Sequence, residues 1–334
     1  MAANPKSPIT SGITQAQYHM YHAEAYLLRG EIEHPIQQPI QEYGRVVLEQ
    51  TRRESLITQS VGETNIGGLI SFRRGHTRVA GTHVQQKVDI FGQDHSGWAT
   101  LSTAAIEGYN VEDIITADRV VAQISTNHPA TNGNVPQVNF IGTRFDNLRV
   151  GGYPVELEID LGIFGQKPAN DCHYFQDVDF LDRMKRRLDD FVDHDDLPES
   201  IETKYGAQIA YIDDLKKRAK EEAVEAIPNG EGGYPTMTFT VVKKIKPIPL
   251  PGVRTFSNHI FIENFGTVTL GEVEVGIKKE HSPLLLGKSN DSQTEASGSN
   301  YFTLDMLKMR LGCPASGTAN GPTANANGSQ GPSI

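Results

Sequence analysis

The chain has 334 residues, 37% of them hydrophobic, with 32 glycines, 18 prolines and a net charge of −10. That length can bury a real core, and the turn-rich composition suits short strands joined by tight turns. The acidic balance argues against a nucleic-acid partner and against polybasic docking on a membrane, and no apolar run approaches the ~20 residues a spanning helix needs.

Residues 1–17 are Pro/Ser/Thr-rich and read as a flexible arm. They hold no apolar h-region, so the expectation is a cytoplasmic protein, export by a route not written at the N-terminus, or a signal already removed. Cys172 and Cys313, far apart in such a chain, read as free thiols. Residues 18–30 begin the first part of a β domain, over 18–170. Their His19, His22 and Glu24 invite a metal reading, but the spacing suits neither one helix face nor one strand face for all three. A polar strand edge is the preferred reading.

IEHPIQQPIQ (32–41) carries two prolines and suits an edge strand. Short apolar groups follow from Val46 to Thr82, SLITQSVG among them. Arg52-Arg53 and Arg73-Arg74 read as charges guarding strand edges. Asp94-His95-Ser96 places an acid, an imidazole and a hydroxyl side by side. Consecutive loop residues rarely achieve triad geometry, and no Gly-x-Ser-x-Gly elbow supports them, so a turn into Trp98 is expected.

The organising stretch runs from Trp98 to Leu161. Ala99–Ile106 is a strand of small residues that lets another layer approach closely. Ile114–Ser125 sets Val120, Ala122 and Ile124 on one face and Arg119, Val121 and Gln123 on the other. Residues 127–134 read as a loop and 145–150 as a strand. Residues 155–161, VELEIDL, alternate strictly and predict a half-buried strand.

Residues 171–228 change character and predict a helical insertion. Phe180, Leu181, Met184, Leu188, Phe191 and Val192 recur at helical spacing, as do Ile201, Tyr205, Ile209, Ile212, Leu215 and Ala219 in a second helix over 199–226. Asp213/Lys217 and Asp214/Arg218 are helix-spaced pairs. Between the helices Asp189, Asp190, Asp193, His194, Asp195 and Asp196 form an acidic cluster. Asp189, Asp193, His194 and Asp195 are its candidate ligands for a hard cation such as Ca²⁺. The EF-hand register is absent, and a solvated helix end is preferred.

The second part of the β domain spans 229–313. Met237, Phe239 and Val241 alternate, and 259–274 is strongly β. Its phase slips at Gly271, marking a bulge or a turn. Residues 301–311 read as a strand or short helix. The low-complexity tail, 314–334, is expected to be disordered unless a partner orders it.

AEAYLLRGEIEHP, IEGYNVEDIITADRVVAQIS and TRFDNLRVGGYPVELEIDL, with FIENFGTVTLGEVEV and FTLDMLKMRLGCPASG, together resemble a family of uncharacterised bacterial β-rich proteins. The pattern is similar to that of actinobacterial choice-of-anchor surface proteins over residues 22–165 and 236–318. This resemblance implies no catalytic residues, and the chain departs from secreted relatives in showing no evident signal peptide.

The expected fold is mainly β, an antiparallel two-sheet sandwich or jelly-roll-like body with a helical hairpin insertion, the alternative being a β-solenoid. The expected function is a non-enzymatic structural protein that self-assembles as a homo-oligomer or filament through β edges and terminal arms, with no cofactor. The alternatives are a module binding a surface polysaccharide or other ligand and, last, an enzyme of unidentified class.

Overall fold

The computed structural model describes residues 17–34, 37–84, 96–130, 135–169, 172–192, 197–220, 236–279, 298–312 and 316–332. In chain order the first strands are β1 Gln17–Tyr26, β2 Leu28–His34, β3 Gln38–Tyr43, β4 Val46–Thr51, β5 Ser55–Val61, β6 Thr64–Ile66, β7 Ile70–Phe72 and β8 Arg74–Val84. A long hairpin follows, β9 Gly97–Val111 and β10 Ile115–Pro129. Short strands come next: β11 Gln137–Asn139, β12 Arg144–Asp146, β13 Arg149–Val150, β14 Tyr153–Pro154 and β15 Leu157–Ile159. Helices α1 Val178–Val192 and α2 Glu199–Lys220 then interrupt the β pattern. It resumes with β16 Thr236–Thr240, β17 Val242–Ile245, β18 Val253–Phe256, β19 His259–Ile262, β20 Gly266–Lys279, β21 Gly298–Leu311, β22 Ser316–Asn320 and β23 Thr323–Pro332.

Two large antiparallel sheets face each other. The first is built on β20 and β21, whose two halves pair with different neighbours. One path runs β18-β19-β20-β21-β22-β2-β3, and the other runs β16-β20-β21-β23-β1-β4. The second sheet centres on the β9–β10 hairpin. β8 and then β5 lie on one side of it, and β11, β12 and β13 lie against β10 on the other. The ladders are antiparallel, which sets the solenoid alternative aside. The protein is therefore a β sandwich with a helical hairpin inserted between β15 and β16.

Small residues decide how close the sheets come. Ala23 and Ala25 of β1 and Ala324 and Ala326 of β23 face Ser102, Ala104 and Ala122 of the hairpin, all fully buried. Hydroxyls cross the seam to backbone: Ser102 donates to the Glu24 carbonyl and Thr77 to the Gly44 carbonyl, each at 2.6 Å. Such bonds need layers closer than the usual ~10 Å between stacked sheets. Gly81 serves the same end, since a Cβ there would lie 2.5 Å from the Tyr21 ring. The small-residue reading of 99–106 holds.

Several expectations change. The tail is not disordered over 316–332: β23 fits between β1 and β21, deep in the first sheet. Ladder hydrogen bonds need backbone rather than apolar side chains, and the inward positions need only alanine. Residues 18–30 are not an edge, because β1 is flanked by β23 and β4. Residues 127–129 are not loop but the end of β10. VELEIDL forms only the three-residue β15, off both large sheets and paired with β17, while Asp160 turns to Arg187 of α1. Residues 301–311 are strand. Gly271 adopts φ 60° inside one continuous strand, and the register with β21 is the same on both sides of it. The flip exchanges the faces without a turn.

The insertion is bolted down by aromatic rings. Phe164 lies 5.1–5.6 Å from Phe140, Tyr174, Phe180, Phe239 and Phe302, joining α1 to the first sheet. Asp214 and Arg218 pair as expected, whereas Asp213 faces Lys185 of α1 instead of Lys217. The described part of α2 ends at Lys220, and the rest of its expected span lies outside the described residues. Neither helix is long and apolar enough to cross a membrane.

Candidate functional site

The sequence candidates do not converge. Asp94 and His95 lie outside the described residues, and Ser96 directly precedes β9. Asp193, His194, Asp195 and Asp196 also lie outside them, while Asp189 is engaged by Lys185 at 3.2 Å. His22 and Glu24 share the outward face of β1, and His19 points inward. Among the described residues no group of three or more His, Cys, Asp or Glu could hold a metal ion. Arg73 and Arg74 do not guard an edge. They meet the chain's own Glu107, at 3.7 and 2.6 Å. The hydrogen bond from Arg74 holds that carboxyl below its usual range. The ladder Arg74, Glu107, Arg119, Asp146 crosses four strands with alternating sign.

Two buried polar clusters were not foreseen. At one end of the sandwich exposed His83, half-buried Trp98 and buried His128 are cross-strand neighbours in the second sheet. His19 descends from β1 onto them, stacked 5.6 Å from Trp98 and 4.6 Å from the His128 ring. Burial, helped by His128, pushes the His19 pKa down to about 2. Both its ring nitrogens, with the hydroxyls of Thr100 and Thr126, find no hydrogen-bond partner among the described residues. The ring therefore stays neutral. One signal was available: Trp98 and His128 are equidistant from Asp113, the centre of the β9–β10 turn.

The second cluster docks α2 on the first sheet. Tyr205 Oη lies 2.7 Å from His259 Nε2 and 3.0 Å from Asn258 Oδ1, and His259 Nδ1 lies 2.9 Å from Thr269 Oγ1. One proton arrangement satisfies all three contacts. Thr269 donates to Nδ1, Nε2–H donates to Tyr205, and Tyr205 donates to Asn258. An imidazolium donating from Nδ1 to Thr269 would satisfy them as well, so it is burial that selects the neutral ring. Burial and the nearby Lys204 push the His259 pKa down to about 4. Lys204 and Lys308 both donate to buried Glu272, and Lys308 also meets Asp305 at 3.0 Å. Burial alone would raise the Glu272 carboxyl, but Lys308 and Lys204 outweigh it and hold it low. Tyr205, Asn258 and His259 are closed off from solvent, so the cluster is a clamp.

The open surface lies elsewhere, on β5. Among the described residues this strand pairs only with β8, leaving its other edge bare. Ser-Leu-Ile-Thr-Gln-Ser-Val contains no charge and no proline, and no residue in it is buried. Leu56 is 60% exposed and Ile57 38%, two of the large apolar side chains that face solvent. Leu56 borders a shallow trough of about 690 Å³ on the outer face, lined by Arg78, Ala80, Thr82, Ala99 and Leu101. Other edges carry protection. β3 holds Pro39 and Glu42, β18 holds Arg254, and the two-residue β14 ends in Pro154. Over β16 lies α2, whose Gln208 accepts the Thr238 N–H at 3.2 Å. The sequence reading saw SLITQSVG as a strand and missed that it is an undefended edge. The available signal was eight uncharged residues, Ser55–Gly62, between Glu54 and Glu63.

Fold and surface thus define an antiparallel β-sandwich protein with an exposed edge strand and a clamped helical insertion. The chain belongs to the family described as Domain of unknown function (DUF8256), whose profile matches residues 19–276. That match runs from β1 to near the end of β20 and leaves β21–β23, which complete the first sheet, outside it. No curated protein and no solved structure matches the chain.

Proposed function

We propose that the protein is a non-enzymatic structural protein that self-associates as a homo-oligomer through a sheet edge. The observation that carries this reading is β5. An unpaired strand offers a row of N–H and C=O groups, and its exposed apolar side chains gain from being covered. The terminal-arm version loses support at the C-terminus, where β22 and β23 pair within their own sheet. Light scattering of the eluting full-length protein across a concentration series tests the reading. A mass that stays at one chain throughout would reject it.

A second reading is a ligand-binding module. It is favoured by an open trough of about 720 Å³ at β18–β20, where Phe261 offers an apolar face beside Arg254 and Glu263. Binding of a surface polysaccharide, weakened in Phe261→Ala and unchanged in Leu56→Lys, would favour it over self-association.

A further inference from the structure

We propose that β5 pairs antiparallel with β5 of a second copy about a two-fold axis through Thr58. This rests on the self-association reading and gives it a partner and a register. Antiparallel pairing centred on Thr58 sets Ser55 opposite Val61, Leu56 opposite Ser60 and Ile57 opposite Gln59 of the other copy. Residues two apart share a face, so Leu56, Thr58 and Ser60 stay on the outer face in both copies. Those three already pair with outer-face Ala80, Arg78 and His76 of β8. The two sheets then continue as one across the axis.

Charge selects this register. Two residues beyond the strand on either side, Arg53 comes opposite Glu63 of the second copy, and the two-fold repeats the pair at the other end. Both residues are exposed, and neither has an ion-pair partner among the described residues. Sliding the strands by one two-residue step puts Arg53 opposite Val61 or Asn65 and loses both pairs. Slipping by one residue sets inner-face side chains beside outer-face ones. The contact is isologous and closes at two subunits, so a filament would require a second, different interface.

The test uses the full chain with Cys172 and Cys313 changed to serine. Thr58→Cys is expected to form a covalent dimer under mild oxidation, because directly opposed strand residues fall within disulfide reach. Arg53→Glu sets like charges at both ends and is expected to raise the dissociation constant about tenfold. The double variant Arg53→Glu/Glu63→Arg restores the original affinity. A homo-oligomer that forms while Thr58→Cys stays uncrosslinked and Arg53→Glu has no effect would overturn this interface and leave self-association standing. A chain that remains monomeric at the highest attainable concentration would overturn both.

Discussion

Acid should weaken this fold through His19, and the size of the effect follows from its burial. Folding holds the ring neutral, with a pKa near 2, where an unfolded histidine titrates at 6.5. The unfolded chain therefore binds one more proton than the folded one between those values. The stability tied to the neutral ring is fully present above about pH 6.5 and is lost as pH falls below it. The slope is about 1.4 kcal/mol per pH unit, or about 2.7 kcal/mol by pH 4.5. His259, held to about 4, adds a slope of the same sign that flattens near pH 4. His19→Phe keeps a ring to stack on Trp98 and removes the titrating group. Urea unfolding at half-unit steps from pH 7 to 4.5, extrapolated to water, gives stability against pH for each chain. The variant should show a slope shallower by one proton, whatever its stability at pH 7. Carboxylates titrate in both chains and cancel in the difference. Parallel curves would refute the reasoning.

The clamp and the seam make further predictions. Glu272→Ala leaves Lys204 without its carboxylate and Lys308 with Asp305 alone, and should cost about 1–3 kcal/mol in chemical unfolding. Ser102→Ala removes the bond to the Glu24 carbonyl, which lies in a strand laddered on both sides, and should cost about 0.5–1.5 kcal/mol. Gly81→Ala pushes a Cβ into the Tyr21 ring and should cost about 1–3 kcal/mol, read from the same measurement. Truncation after Gly312 removes β22 and β23 from inside the first sheet and should abolish cooperative unfolding, seen by calorimetry.

What the sequence reveals here depends on how local the signal is. The hairpin faces Val120, Ala122, Ile124 against Arg119, Val121, Gln123 were legible, because period two needs only neighbouring residues. So were both helices, from apolar spacing at 180–192 and 201–219. The tail was not, because β23 owes its place to ladder bonds with β1, some three hundred positions away, and its inward residues are alanines without periodic contrast. VELEIDL misled in the opposite direction. Its burial alternates only as far as Ile159, and its partners are β17 and, through Asp160, Arg187 of α1 rather than a large sheet. The His19 layer joins four strands, β1, β8, β9 and β10, and composition says nothing about which histidines meet. The β5 edge was visible as a strand, but bareness is a property of what lies beside it, and only topology reveals that.

Magnitudes also fix how strong a β5 contact can be. Seven residues span about 24 Å, and pairing them adds about seven backbone bonds worth about 1 kcal/mol each net. Covering Leu56 and Ile57 on both copies adds about 4 kcal/mol more, given that each is already partly shielded. Against this stands the loss of free tumbling, about 4–15 kcal/mol. The balance allows at most about −7 kcal/mol, a dissociation constant of about 10 µM or weaker. Such a contact is a transient one, below the usual size of a stable interface. Sedimentation velocity should therefore show a monomer at low micromolar chain concentration and a growing dimer fraction toward the millimolar range. Leu56→Lys, which places a charge on the bare edge, should hold the chain monomeric across that range. A dimer that persists at nanomolar concentration would demand a larger buried surface than β5 provides, and the edge would then be only part of the interface.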